Sequence, residues 1–132
     1  MRSRCVTLLA ALAAACVTST TPTVSLNRDF TLAPGNLVVI DETSLGVRFV
    51  GVYGDSRCPA DAFCIQGGDA RVKIEVHPNH GDPSTYELHT GSMRPVTHGR
   101  HVIALVQLAP YPFSSRTIAP EDYRATLRVT RP

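Results

Sequence analysis

The sequence predicts an all-β domain: about seven short antiparallel strands in a two-sheet β-sandwich of immunoglobulin-like size, with one local disulfide and a small open β-barrel as the alternative. Three observations predict it. After residue 28 apolar residues recur at every second position rather than every third or fourth. The 10 prolines and 9 glycines cut the chain into short runs, and the sequence holds no tryptophan. With 132 residues, 43% hydrophobic and 18% charged, the chain fits one domain and is too apolar to be disordered throughout.

In chain order, Met1-Arg2-Ser3-Arg4 is a short basic end, followed from Cys5 to Ala15 by an uncharged, mostly apolar run too short for a permanent membrane span. Residues 1–15 therefore read as an export signal. Leu12-Ala13-Ala14-Ala15-Cys16 resembles the lipobox of bacterial lipoproteins, which implies cleavage before Cys16 and its acylation. Ala13-x-Ala15 equally suits an ordinary signal peptidase, which would leave a secreted or periplasmic soluble protein. Cleavage removes Arg2 and Arg4, taking the basic count from 13 to 11, level with 11 acidic residues. A neutral mature chain argues against nucleic-acid binding through a basic surface. Residues 16–27 are Ser/Thr-rich until Arg28, the composition of a flexible tether carrying the anchor cysteine, and residues 28–132 form the sandwich domain.

Within that domain, Ala70, Val72, Ile74 and Val76 alternate with Arg71, Lys73 and Glu75, and Tyr123, Ala125, Leu127 and Val129 alternate with Arg124, Thr126, Arg128 and Thr130. Each run is a strand with one buried and one wet face. Further strands are expected at Phe30 to Leu32, Leu37 to Asp41, Leu45 to Val52, Thr85 to His89 and His101 to Leu108. The alternation Leu45, Val47, Phe49 changes phase at Val50 and Val52, which predicts a β-bulge before Gly51. Pro120-Glu121-Asp122-Tyr123 suggests a corner in which the tyrosine hydroxyl returns to nearby backbone, and Pro110, Pro112 and Pro120 exclude a helix of any length there.

Cys5 leaves with the leader and Cys16 is the lipid attachment point, so Cys58 and Cys64 remain. In an oxidising compartment they read as one disulfide closing a tight loop. Closing so small a ring stabilises by roughly 2 kcal/mol. The spacing is wrong for a C-x-x-C redox centre, and zinc needs more ligands. Beside the ring, Asp55-Ser56-Arg57 reads first as a structural turn in which Asp55 accepts backbone N–H groups and pairs with Arg57. The binding alternative has Asp55 orienting Arg57 as a fork for a carboxylate or phosphate on an envelope protein partner; Arg57→Ala would then abolish capture at unchanged melting temperature. A cation site from Asp55, Asp61 and Asp69 is a third reading, though calcium wants more oxygens in tighter spacing.

The stretch from Val52 through Asp55-Ser56-Arg57-Cys58-Pro59, Cys64, Gly68, Ala70 and Val72, with the later Pro110-Tyr111-Pro112 and Asp122-Tyr123, resembles a family of bacterial secreted proteins and lipoproteins. That family shares V-x-x-D-S-R-C-P, a second cysteine, a W-A-G-type turn, an alternating strand, and late P-Y-P and D-Y-x-A-x-L segments. The resemblance covers most of residues 28 to 131 and implies location and fold, with no activity attached. Gln66-Gly67 stands where the pattern has Trp-Ala, so an aromatic packed over the disulfide is missing here.

His77, His80, His89, His98 and His101 crowd one stretch, and His77-Pro-Asn-His80 and His98-Gly-Arg-His101 repeat one spacing. If both pairs meet at strand ends, they form a zinc, copper or nickel site. The bland account is that they are exposed turn histidines among Pro78, Asn79, Gly81, Asp82 and Gly99. No Gly-x-Ser-x-Gly elbow exists, and Glu121-Asp122 reads as solvated charge, leaving a hidden hydrolase without support. The expectation is a non-catalytic lipoprotein domain on the bacterial cell envelope, held to the membrane by its N-terminal lipid and serving binding or structure. The alternative is an envelope metal-binding protein using His77, His80, His98 and His101.

Overall fold

Ala70, Val72, Ile74 and Val76 form the inward face of one strand, each wholly buried, while Arg71 between them faces solvent. The computed structural model describes residues 14–132, so the expected leader lies outside the described residues except for Ala14 and Ala15. Nine strands follow: β1 (Thr23–Val24), β2 (Asp29–Leu32), β3 (Leu37–Ile40), β4 (Leu45–Asp55), β5 (Ala70–His77), β6 (Ser84–His89), β7 (Val96–His98), β8 (His101–Ala109) and β9 (Arg124–Thr130). One 3-10 turn, Pro120–Asp122, precedes β9, and no α-helix occurs among the described residues.

One sheet has the order β1-β3-β4-β5-β6 and the other β2-β9-β8-β7. Every pairing is antiparallel except β1 with β3. The sheets do not close into a barrel; their inward residues join in one core, with Phe49, Ile74 and Leu88 from the first and Ile103, Leu127 and Val129 from the second. Burying each such side chain stabilises the fold by ~1.5–3 kcal/mol, which is why the two-residue alternation determines the architecture. Two strands depart from expectation. β1 lies inside the segment expected to be a tether, held by bonds from Val39 N to the Pro22 carbonyl and from Asp41 N to the Val24 carbonyl. β7 lies among the histidines, and both strands are too short to show an alternation.

The expected bulge is present. Phe49 pairs with Ile74 but Gly51 pairs with Lys73, leaving Val50 as the extra residue of β4. A second shift separates Val52, opposite Val72, from Asp55, opposite Ala70, with Gly54 between them at φ 81°. A left-handed backbone there suits glycine. The two shifts carry Asp55 to the register position of Ala70, which is wholly buried, so a carboxylate arrives at the end of the core.

Loop 56–69 therefore crowns one end of the sandwich. His89 pairs with Arg71 and Ala109 with Arg124, which puts segments 90–95 and 110–123 at the same end. Turns 41–44, 78–83 and 99–100 lie at the other end. Because β1 runs parallel to β3 and hence antiparallel to β4, the chain before Thr23 departs toward the end at which β4 finishes.

Candidate functional site

The crowned end is organised by Arg57, a buried charge only 9% exposed. Its Nε and Nη2 donate to the two oxygens of Asp55 at 2.9 and 2.7 Å, a bidentate grip. Nη1 donates to the Leu108 carbonyl at 2.9 Å and Nη2 also to the Pro110 carbonyl at 3.0 Å. The backbone N–H of Arg57 donates to Asp55 Oδ1 at 3.2 Å, closing the expected turn. From the opposite sheet's side, the Tyr123 hydroxyl donates to Asp55 Oδ2 at 2.9 Å. The tyrosine corner expected from local sequence is thus replaced by a bond between the two layers.

Burial alone would raise the Asp55 pKa, but the hydrogen bonds from Arg57 and Tyr123 and the guanidinium charge outweigh it and hold the carboxyl below its ordinary value. Burial likewise opposes the Arg57 charge and Asp55 overcomes it. Burial first, then the bond to Asp55, pushes the Tyr123 phenol up to about 12. All three groups therefore keep fixed protonation states around neutrality, which suits a clamp. The structural reading of Asp55 and Arg57 matches this geometry, and the alternative fork for a partner has four of its five N–H donors engaged inside the domain, by Asp55 and two carbonyls.

Around this clamp three loops are tied together. Cys58 and Cys64 are disulfide-bonded as expected. Ala60 N donates to the Pro112 carbonyl at 2.9 Å, and the Ser114 hydroxyl and backbone N–H both donate to Asp61. Ser56 N donates to the Asp69 carbonyl at 2.8 Å. A Cβ on Gly68 would lie 1.5 Å from the Ser56 carbonyl oxygen, so only glycine admits this approach. Asp69 accepts from Gly91 N at 2.8 Å and meets His89 Nδ1 at 2.5 Å, joining the third loop. Burial opposes its charge, but these bonds outweigh that and hold its carboxyl below the ordinary value.

On this fixed base sit apolar side chains open to water. Phe63 and Ile65, flanking Cys64, are wholly exposed, and Tyr111 and Phe113 about half exposed. A cleft of about 250 Å³ lies between Tyr111, Phe113, Arg116 and Ile118. The Arg57 guanidinium lies 5.6 Å from the Tyr111 ring centroid, bracing that ring from within. Sequence reasoning singled out the ring and missed Phe63, Ile65 and Phe113.

Two histidines of the alternative metal reading, His77 and His98, have separate partners among the described residues. His98 and His101 face each other across the β7–β8 hairpin, but His98 Nδ1 bonds the Tyr86 hydroxyl at 2.9 Å. His77 Nε2 is 3.1 Å from Glu75 Oε2, and His80 is exposed in the turn after β5. Among the described residues no group of three or more His, Cys, Asp or Glu is placed to hold a metal ion. Asp55, Asp61 and Asp69, the carboxylates of the cation reading, each serve a different loop bond. Cys16 is exposed with a free thiol. No protein-family model, curated protein or solved structure matches the chain.

Proposed function

We propose that this chain is a non-catalytic, lipid-anchored protein of the bacterial cell envelope whose β-sandwich presents a rigid apolar loop end for recognition. The observation that carries this reading is the full exposure of Phe63 and Ile65 on a loop immobilised by its disulfide and by the Arg57 clamp. Exposed apolar side chains clustered on a rigid support mark contact surfaces, because the backbone that carries them is already ordered before binding. The lipobox-like Leu12–Cys16 segment supports the anchor.

Two measurements test it. Mass spectrometry of the N-terminal peptide from cell membranes should show a diacylglyceryl group on Cys16; an unmodified cysteine, or a peptide retaining the leader, overturns the anchor. A photo-crosslinking amino acid at position 63 should label an envelope component in cells, whereas one at position 80, at the other end, should not. Equal labelling at both positions overturns recognition through the loop end.

A further inference from the structure

We infer that the occupant of the apolar loop end is the bilayer that holds the anchor: Phe63, Ile65, Tyr111 and Phe113 enter the membrane interface, and the sandwich stands end-on upon it. The inference rests on the lipid-anchor reading and adds to it the face that meets the membrane.

The direction of the tether is the first argument. Pro22 lies beside Val39, and the chain before it heads toward the end crowned by loop 56–69. Residues 16–21, fully extended, reach about 20 Å. From Val47, the partner of Val38, to Asp55 the strand β4 rises about 25 Å, less the shortening of its two bulges. A fully extended tether therefore lets a lipid on Cys16 reach close to the level of Asp55, and the loops beyond Asp55 can meet the same membrane surface. Had β1 run the other way, the tether would have left from the end that holds His80 and Asp82.

Side-chain chemistry is the second. A wholly exposed phenylalanine and isoleucine stand beside two half-exposed aromatics, and the cleft at Tyr111 and Phe113 is lined by Arg116 together with the exposed Asp122. Aromatic and aliphatic tips suit the acyl boundary, and an arginine with a long apolar stem suits the phosphates above it. Asp61, the carboxylate nearest this tip in the ring, is engaged by the Ser114 hydroxyl and N–H. Anchoring also makes shallow insertion effective, because a tethered tip faces the bilayer at a high local concentration.

The chain contains no tryptophan, so Phe63→Trp gives one fluorophore on a silent background. The full chain carrying it, extracted from membranes and reconstituted into phosphatidylethanolamine–phosphatidylglycerol vesicles, should emit at shorter wavelength than in detergent-free water. Brominated acyl chains should quench it at least threefold more than they quench His80→Trp. Equal quenching at the two positions, or none at position 63, overturns membrane contact while the mass of the Cys16 peptide independently reports whether the anchor exists. Quenching at position 63 with an unmodified Cys16 overturns the anchor and retains the contact. Crosslinking from position 63 to a protein, without bromolipid quenching, assigns the surface to a protein partner and overturns the inference.

Discussion

Tyr123 Oη and Arg57 Nη2 share a single acceptor, Asp55 Oδ2, at 2.9 and 2.7 Å, and this oxygen is where the two sheets and the disulfide loop meet. Arg57 is buried and Asp55 partly so, with side chains 6% and 12% exposed, so each charge depends mainly on the other and has little water in its place. Removing one leaves the other desolvated and alone, which costs about 3–5 kcal/mol against a typical total stability of about 5–15 kcal/mol. Arg57→Ala and Asp55→Ala should each lower the urea midpoint and melting temperature steeply. The double variant should lose less than the two losses added, because the second change removes a charge already orphaned. Urea titrations of the three variants check this, and a stable Arg57→Ala protein would restore the free-fork account of that residue.

The same acceptor governs alkaline behaviour. Tyr123 has its pKa raised from 10.0 to about 12, so the folded state binds its phenolic proton more tightly than the unfolded state. The stability this contributes is complete below the unfolded value and lost as pH rises from about 10 through about 12. Phenolate absorbance in the native protein should show one of the 4 tyrosines ionising with a midpoint of about 12. Asp55→Asn should move that step downward, since it removes the anion that the phenolate would face. An unmoved step would mean that burial alone holds the proton.

What could be read in the chain divides along a physical line. The alternation at Ala70–Val76 and Tyr123–Val129 is legible because a sheet with one wet face imposes a period of two, and the phase slip at Val50 is legible because a bulge interrupts that period. The turn between Asp55 and Arg57 is local and follows from side-chain chemistry. Tyr123 lies 68 residues from its acceptor, and nothing in local sequence announces that pairing. β1 and β7 owe their existence to strands already in place, so two or three residues carry no pattern of their own. The histidines crowd in sequence yet part in space, because antiparallel turns send the residues near His77 and those near His98 to different sheets.

Gly68 offers a sharper test of the loop platform. An added Cβ would sit 1.5 Å from the Ser56 carbonyl oxygen and 2.9 Å from the Arg57 backbone nitrogen, and backbone atoms cannot rotate aside. Gly68→Ala must therefore separate Ser56 from Asp69 and disturb the turn that aims Arg57. A loss of about 2–4 kcal/mol is expected, within the range of overpacking and strain. Gly67→Ala, with nothing within 4 Å, should be close to neutral. Melting curves of the two variants decide the matter: equal stability would mean that the loops are not held at this contact.

His101 makes the last prediction, and its sign is opposite to that of Tyr123 as pH changes. Its Nε2 is buried without a hydrogen-bond partner in the protein, and burial, then the charges of Arg131 and His98, lower its pKa from 6.5. A base whose folded pKa is depressed resists protonation in the native state. Its contribution is therefore complete above about 6.5 and is lost as pH falls through the depressed value. His101→Phe keeps a ring of similar volume, removes the unsatisfied nitrogen, and abolishes the titration. It should raise stability by about 1 kcal/mol near neutrality, the scale of relieving one buried unsatisfied group, and the gain should widen toward about pH 5. Thermal melts of wild type and variant across that range check both parts. A constant difference between the two proteins would show that His101 takes up its proton as readily folded as unfolded, and a loss at neutral pH would show that Nε2 has a partner worth keeping.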